Sequence, residues 1–432
     1  MRGRREDAVV RFLGIRYAER ADGRRFGLPV PAAGQLDVAG LADVPVFPQL
    51  PSRLAAAMGA GGDVNPQDED AFFLNVWAPE GAAGLPVIVF VHGGAWTTGG
   101  GSLPWYDGAR LAAGGAVVVT VNYRIGALGH LVAGDGGRDL PFEDLLCALR
   151  WVQENVGMLG GDPDRVTLVG QSAGGWYGHA LSVSPAARGL FHRAAHLSMA
   201  TREPWSPRRR DEVKRDVERR LGGDPAVVPI TSLLVAGAEA VAPVRRPLGF
   251  APSAWLPTAV PGLPAELLDP AWCAEKVHVE AVLFRFTDQE TGMFFFQSQP
   301  ELPATAADVD SALSRWDPGD VPLGLAGLEP YEKLVAASSW AQFQRLPTEL
   351  AAAYARAGVP SRLERFSAPS PVPGIGSGHC FDLPFQFGTR EAFADAPMLA
   401  GIGPEEFEEI SLTLRRQLLD FAAAPQPVTI RR

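Results

Sequence analysis

Two apolar rhythms alternate along the chain. Short unbroken runs rich in β-branched and aromatic residues occupy Phe72–Trp77, Pro86–Val91, Ala116–Val121, Arg165–Val169 and Val279–Phe286. Runs of this kind mark strands buried on both faces, whereas a half-buried strand would alternate apolar with polar. Between them, apolar residues recur at helical spacing. Residues 142–159 carry Leu145, Leu149, Val152 and Val156 on one side, and residues 404–423 carry Phe407, Ile410, Leu414, Leu418 and Phe421. Strand and helix in alternation predict an α/β fold, a mostly parallel central sheet covered by helices on both faces. No internal repeat or low-complexity linker interrupts residues 1–432, which are read as a single domain.

Residues 201–222 follow a different pattern. Val213, Val217 and Leu221 lie four apart among arginines and acids. The spacing predicts a surface helix with one buried stripe. A substrate-steering basic patch is the sharper alternative, and the interleaved Asp and Glu weaken it.

Composition narrows the classes. Of 432 residues, 47% are hydrophobic, enough for a large core, and the formal net charge is -10. Nucleic acid and anionic membranes attract clustered Lys and Arg, so neither is an expected partner. No run of about eighteen apolar residues exists to span a membrane, and the apolar stretch Ala8–Val10 is too short for a signal-peptide core. Cys147, Cys273 and Cys380 lie far apart, without metal-site spacing. Free thiols suit a reducing compartment, and the expected location is cytoplasmic.

The chemistry begins at Val166–Gly175, a β-branched strand running into Gly-Gln-Ser-Ala-Gly. Gly-x-Ser-x-Gly alone is a modest signal. Between a strand and helix-compatible residues, it is the context that exposes a serine hydroxyl above a sheet, with Gly170 and Gly174 sparing the turn two side chains. Ser172 is therefore the candidate nucleophile. Upstream, strand Pro86–Val91 ends in His92-Gly-Gly-Ala-Trp96. A glycine-rich turn lets backbone N–H groups approach the oxyanion of a tetrahedral intermediate. Gly94, Ala95 and Ala173 are the candidate donors, and His92 is expected to orient the loop.

The base follows by elimination. In this arrangement the order along the chain is Ser, then Asp or Glu, then His. His92 and His130 precede the serine, His179, His192 and His196 follow it too closely, and His278 sits just before a strand. His379 remains, in the glycine loop Gly374–Cys380. The acid belongs in a loop after a strand. Thr287–Gly292 offers Asp288 and Glu290, and residue chemistry alone does not separate them. Several aromatic residues lie near these motifs, and Trp96, Trp176 and Phe294 are candidates for an apolar substrate pocket.

Together these segments resemble the type-B carboxylesterases, the cholinesterase-like branch of the α/β-hydrolase superfamily that includes para-nitrobenzyl esterases. Phe12-Leu-Gly-Ile-Arg-Tyr-Ala-Glu19 is similar to the family's FLGIPYA segment, and Glu69–Trp77 to its EDCLxLNV signature. His92–Trp96, Val121–Arg124, Ala148–Asn155 and Gly160–Gly174 also match. The resemblance implies an α/β-hydrolase fold with cap-like insertions. It favours Glu290 over Asp288 through the family's NxDEG pattern, and Gly376–Gly388 resembles the motif around the family's histidine, in support of His379. It implies a serine esterase; its expected mechanism needs no cofactor or metal, and the aromatic residues near the motifs point to an apolar or aromatic small-molecule ester. Departures are visible. Ala71 replaces a common Cys, Cys380 replaces a Gly, Asp382 replaces a Glu, and Trp176-Tyr177 are bulkier than usual. These changes imply an altered access gorge. They also leave open an acyl transferase, or a lactone- or lactam-forming cyclase, using the same residues. A non-catalytic binding relative would be expected to have lost the serine. Monomer and homodimer are both compatible with the sequence.

Overall fold

The computed structural model describes residues 4–6, 8–32, 43–242, 247–252, 255–315 and 324–424. Among them, eleven strands form two sheets. In chain order they are β1 (Arg4–Glu6), β2 (Val9–Arg16), β3 (Ala18–Arg20), β4 (Pro29–Pro31), β5 (Phe73–Pro79), β6 (Leu85–Val91), β7 (Val117–Val121), β8 (Gly161–Gln171), β9 (Arg193–Leu197), β10 (Ala281–Thr287) and β11 (Ser361–Phe366). The large sheet runs β1-β2-β5-β7-β6-β8-β9-β10-β11, while β3 and β4 pair separately. Pairing is antiparallel from β1 through β7 and parallel from β7 through β6 to β11.

All five predicted strands are present. β2, β9 and β11 were not evident from the pattern. β2 is broken by a register shift between Phe12 and Ile15. β9 reads Arg-Ala-Ala-His-Leu, without a β-branched residue, and is held by parallel partners on both sides. β11 is the last strand of the sheet and is mostly open to solvent.

Alternate residues of each strand feed two cores, because successive side chains point to opposite faces. Val87, Val89 and Val91 pack with Leu145, Leu149 and Val152 of helix Leu140–Asn155 on one side. Ile88 and Phe90 pack with Phe407, Leu414, Leu418 and Phe421 of helix Pro404–Ala423 on the other. Both predicted helices therefore form, one per face. Helix Leu140–Asn155 starts where Asp139 accepts a hydrogen bond from the Phe142 amide, with Pro141 in its first turn.

Helix Pro207–Leu221 buries Val213 and Val217, and its arginines are paired locally, Arg208 with Glu212 and Arg219 and Arg220 with Asp216. The stripe is as expected, and the local pairing leaves little of a basic patch.

Parallel pairing aligns the carboxyl ends of β6, β8, β10 and β11 along one edge. Val91 lies opposite Gly170, Gln171 opposite Leu197, and Thr287 opposite Phe366. Ligands of open α/β sheets bind outside that edge. Among the described residues, no helix is long and apolar enough to cross a membrane.

Candidate active site

Ser172 stands on the turn between β8 and the buried helix Ala173–Val183. Its backbone is strained, at φ 55 and ψ -117. A non-glycine residue held so costs about 1–3 kcal/mol, offset only where its surroundings fix it. Here the Ser172 amide donates to the Leu197 carbonyl at 2.8 Å, and its carbonyl accepts from the Trp176 amide at 3.0 Å. The turn is too tight for side chains at either glycine. A Cβ on Gly170 would strike the Gly174 carbonyl, and one on Gly174 would strike the Val91 carbonyl.

His379 reaches this turn from the loop after β11. Its amide donates to the Glu290 carbonyl at 3.0 Å, and the loop is tied down as the Ser377 hydroxyl donates to the Phe366 carbonyl at 2.7 Å. The imidazole Nε2 lies 2.8 Å from Ser172 Oγ, and Nδ1 lies 2.5 Å from Glu290 Oε2. The other carboxylate oxygen, Oε1, accepts from the Thr287 amide at 2.8 Å. Glu290 is fully buried, His379 nearly so. Burial alone would lower the His379 pKa. The neighbouring Cys380 sulfur and the Glu290 carboxylate outweigh it and raise the pKa well above the usual imidazole value.

The two candidate acids separate cleanly. Asp288 is held by Arg365 at 2.8 Å, near the surface, and away from the imidazole.

The loop after β6 carries consecutive left-handed residues, Gly94, Ala95 and Trp96, at φ 115, 52 and 58. That winding is bound internally, with the Thr97 and Thr98 amides donating to the Gly94 carbonyl at 3.0 Å. The amides of Gly94, Ala95 and Ala173 donate to no acceptor among the described residues. His92 is buried and stacked on Tyr123, with Nδ1 2.8 Å from the Gly93 carbonyl. Burial pushes its pKa down to about 4, so it is neutral and shapes the loop.

A cavity of about 560 Å³ opens over Ser172 and His379, lined by Trp96, Trp105, Trp255, Phe294 and Phe343 among others. Of the three aromatic candidates, Trp96 and Phe294 line it. Trp176 does not. Its ring is buried behind Trp96, edge to face at 5.9 Å, and its Nε1 donates to the Arg202 carbonyl. The helix after the serine is buried throughout, which turns that indole into the core.

Three further residues join the site that the motif reading did not single out. Phe343, on the π-helical turn Trp340–Gln344, packs against His379. Gln171 Nε2 donates to Cys380 Sγ at 3.3 Å. Arg202 contributes to the cavity wall. Among the described residues, no group of three or more His, Cys, Asp or Glu side chains is arranged to hold a metal ion.

A hydroxyl, an imidazole and a buried carboxylate in series can transfer the hydroxyl proton to the ring. Unpaired amides beside them can receive a negatively charged oxygen. The sheet order and this placement define the α/β-hydrolase class. A carboxylesterase family profile matches residues 1–224. The chain is 33% identical to a probable N-octanoylanthranilate hydrolase of Rhodococcus erythropolis, over 97% of this chain and 90% of that protein. It is 29% identical to phenmedipham hydrolase of Pseudarthrobacter oxydans, over 98% and 88%. Among solved structures, a PNB esterase superposes with a TM-score of 0.82 at 29% identity, covering 99% of this chain and 90% of that one. The chain belongs to the carboxylesterase family, in its type-B branch, and is a carboxylic ester hydrolase.

Proposed function

We propose that the protein hydrolyses apolar or aromatic small-molecule esters through an acyl-enzyme on Ser172. The carrying observation is the series Ser172–His379–Glu290, with contacts of 2.8 and 2.5 Å, at the wall of an apolar cavity. His379 Nε2 takes the Ser172 proton as Oγ attacks the ester carbonyl. Glu290 holds the ring and stabilises the imidazolium. The amides of Gly94, Ala95 and Ala173 stabilise the oxyanion, and losing one such donor typically costs about 3 kcal/mol. The C–O bond then breaks, and the alcohol leaves with the proton from His379. Water, deprotonated by His379, cleaves the acyl-enzyme and releases the acid.

Trp96 and Phe294 are the substrate-binding residues in this reading, as lining of the cavity. Residues 1–432 act as one domain, supported by a single large sheet that takes strands from Arg4 to Phe366. The location is cytoplasmic, a reading supported by three free, buried cysteines.

The test is Ser172→Ala against 4-nitrophenyl butyrate, with fluorophosphonate labelling in parallel. Turnover falls by about 10³-fold or more and labelling disappears. Retained turnover or labelling elsewhere would overturn the assignment.

A further inference from the structure

The cavity is apolar in its walls but not neutral in its charges. Among the described residues no Asp or Glu lines it, whereas Arg53 and Arg202 do. Arg202 is built into the wall. The Thr201 amide donates to the Gln342 carbonyl at 2.9 Å, and the Arg202 carbonyl accepts from Trp176 Nε1 at 2.9 Å. Its Nη2 donates to the Ala251 carbonyl at 3.0 Å and to Gln342 Oε1 at 3.1 Å. Both acceptors are neutral. Gln342 belongs to the same π-helical turn as Phe343, which packs on His379. One turn therefore anchors both the guanidinium and the imidazole's packing partner.

Nε and Nη1 donate to no acceptor among the described residues, and neither is sealed away from the open surface. A guanidinium stays charged at any physiological pH. Placed in an apolar wall without a carboxylate, it is poorly solvated, and its attraction for an incoming anion is stronger than in water. The two structural bonds engage Nη2 alone, which leaves the rest of the guanidinium for a ligand. The planar, donor-rich head matches a carboxylate.

We infer that Arg202 selects esters that carry a second, ionised carboxylate, in the acyl group or in the leaving alcohol. The inference rests on the proposed Ser172 chemistry and names the substrate class of that same cavity. The carboxylate would lodge on the Arg202 N–H groups while the ester carbonyl lies at Ser172, and the aromatic walls would take the carbon skeleton between them.

The experiment compares kcat/KM within two matched pairs. One pair varies the acyl group, 4-nitrophenyl hydrogen suberate against 4-nitrophenyl octanoate. The other varies the alcohol, 4-carboxyphenyl butyrate against 4-carbamoylphenyl butyrate. In at least one pair the carboxylated ester is preferred by about tenfold or more, the size expected for a charged hydrogen bond. The pair that shows it places the carboxylate. Arg202→Met brings that ratio down towards the value set by hydrophobicity alone, and Arg202→Lys restores part of it. The ratio is the readout, so a general loss of folded enzyme cancels. No preference in either pair, or a preference unchanged in Arg202→Met, would overturn the inference. Turnover of the neutral esters without any preference refutes the role of Arg202 alone. Turnover of none of the four refutes the esterase reading with it.

Discussion

The ring of Phe343 lies 4.8 Å from the imidazole of His379, inclined at 45°. Phe294 approaches the same imidazole at 5.2 Å. Two phenyl rings from different segments thus cover part of the group proposed to move the proton and reduce its solvation. They oppose the carboxylate behind it, because desolvation disfavours the imidazolium that Glu290 favours.

Phe343→Ala should therefore shift the acidic limb of kcat/KM to higher pH. Removing the ring relieves desolvation, and the His379 pKa, already raised, rises further. The neutral imidazole is the form that accepts the serine proton, so activity would appear later as pH increases. The lost packing should also cost about 3 kcal/mol, the low end for a buried Phe, since the residue borders the cavity. A pH–rate profile checks the first effect and urea unfolding the second. A limb displaced to lower pH would contradict this account of the two rings.

Glu290→Gln and Asp288→Asn make a controlled pair two residues apart. Gln at 290 removes the charge that steadies the imidazolium, so the limb moves to lower pH and kcat falls by about 10³-fold or more. Asn at 288 breaks the Arg365 pair, whose arginine is 66% exposed. Such pairs contribute at most about 1 kcal/mol, and kcat should hardly change. Equal losses from both substitutions would mean that the imidazole is not oriented by Glu290 alone.

How far the site could be read along the chain differs by residue. Ser172 was legible because a tight strand-to-helix turn demands glycines at fixed offsets, which leaves a local trace. His379 was legible through chain order, since the six other histidines fall too early or against a strand. Glu290 needed the family resemblance, because Asp288 sits in the same loop and only three dimensions show which carboxylate turns inward. Phe343 and Arg202 left no local trace. Their roles arise from the π-helical turn at 340–344 and the segment after β9, which fold back onto the site from distant positions. Trp176 misled for the opposite reason. Its nearness to Ser172 in sequence suggested the pocket, yet the helical turn carries it to the core. The fold shows the same divide. Continuous β-branched strands announced themselves, while β9 depends on its neighbours.

Gly174→Ala tests the local constraint on the serine. The added Cβ would meet the Val91 carbonyl, which is backbone of a central strand and cannot swing aside. Overpacking of this kind costs about 1–3 kcal/mol. The relief available is movement of the turn itself, which displaces Ser172 Oγ from His379. A loss of kcat should therefore exceed any loss of thermal stability in proportion, seen by steady-state kinetics and a melting curve on the same preparation. Full activity with a lowered Tm would show that the turn can yield without disturbing the serine.

Asp382, three residues beyond His379, is a buried acid. The side chain is fully buried, and neither carboxylate oxygen has a hydrogen-bond partner among the described residues. Burial pushes its pKa up to about 6; Arg285 and His379 pull against that rise, and Glu290 adds to it. An acid whose folded pKa exceeds its unfolded value adds no penalty below about pH 4, where both states are protonated. As pH climbs from there through 6, the unfolded chain ionises first and stability falls. A carboxyl that titrates near 4 unfolded and near 6 folded costs roughly 3 kcal/mol once both states are ionised. Asp382→Asn removes the ionisation while keeping the shape, so it should raise unfolding free energy at pH 8 by about 1–3 kcal/mol, less whatever the carboxamide leaves unsatisfied. The gain should fade on acidification and vanish near pH 4. Urea unfolding at the two pH values measures it, and a loss of stability of equal size at both would mean that the carboxylate is not the source of the penalty.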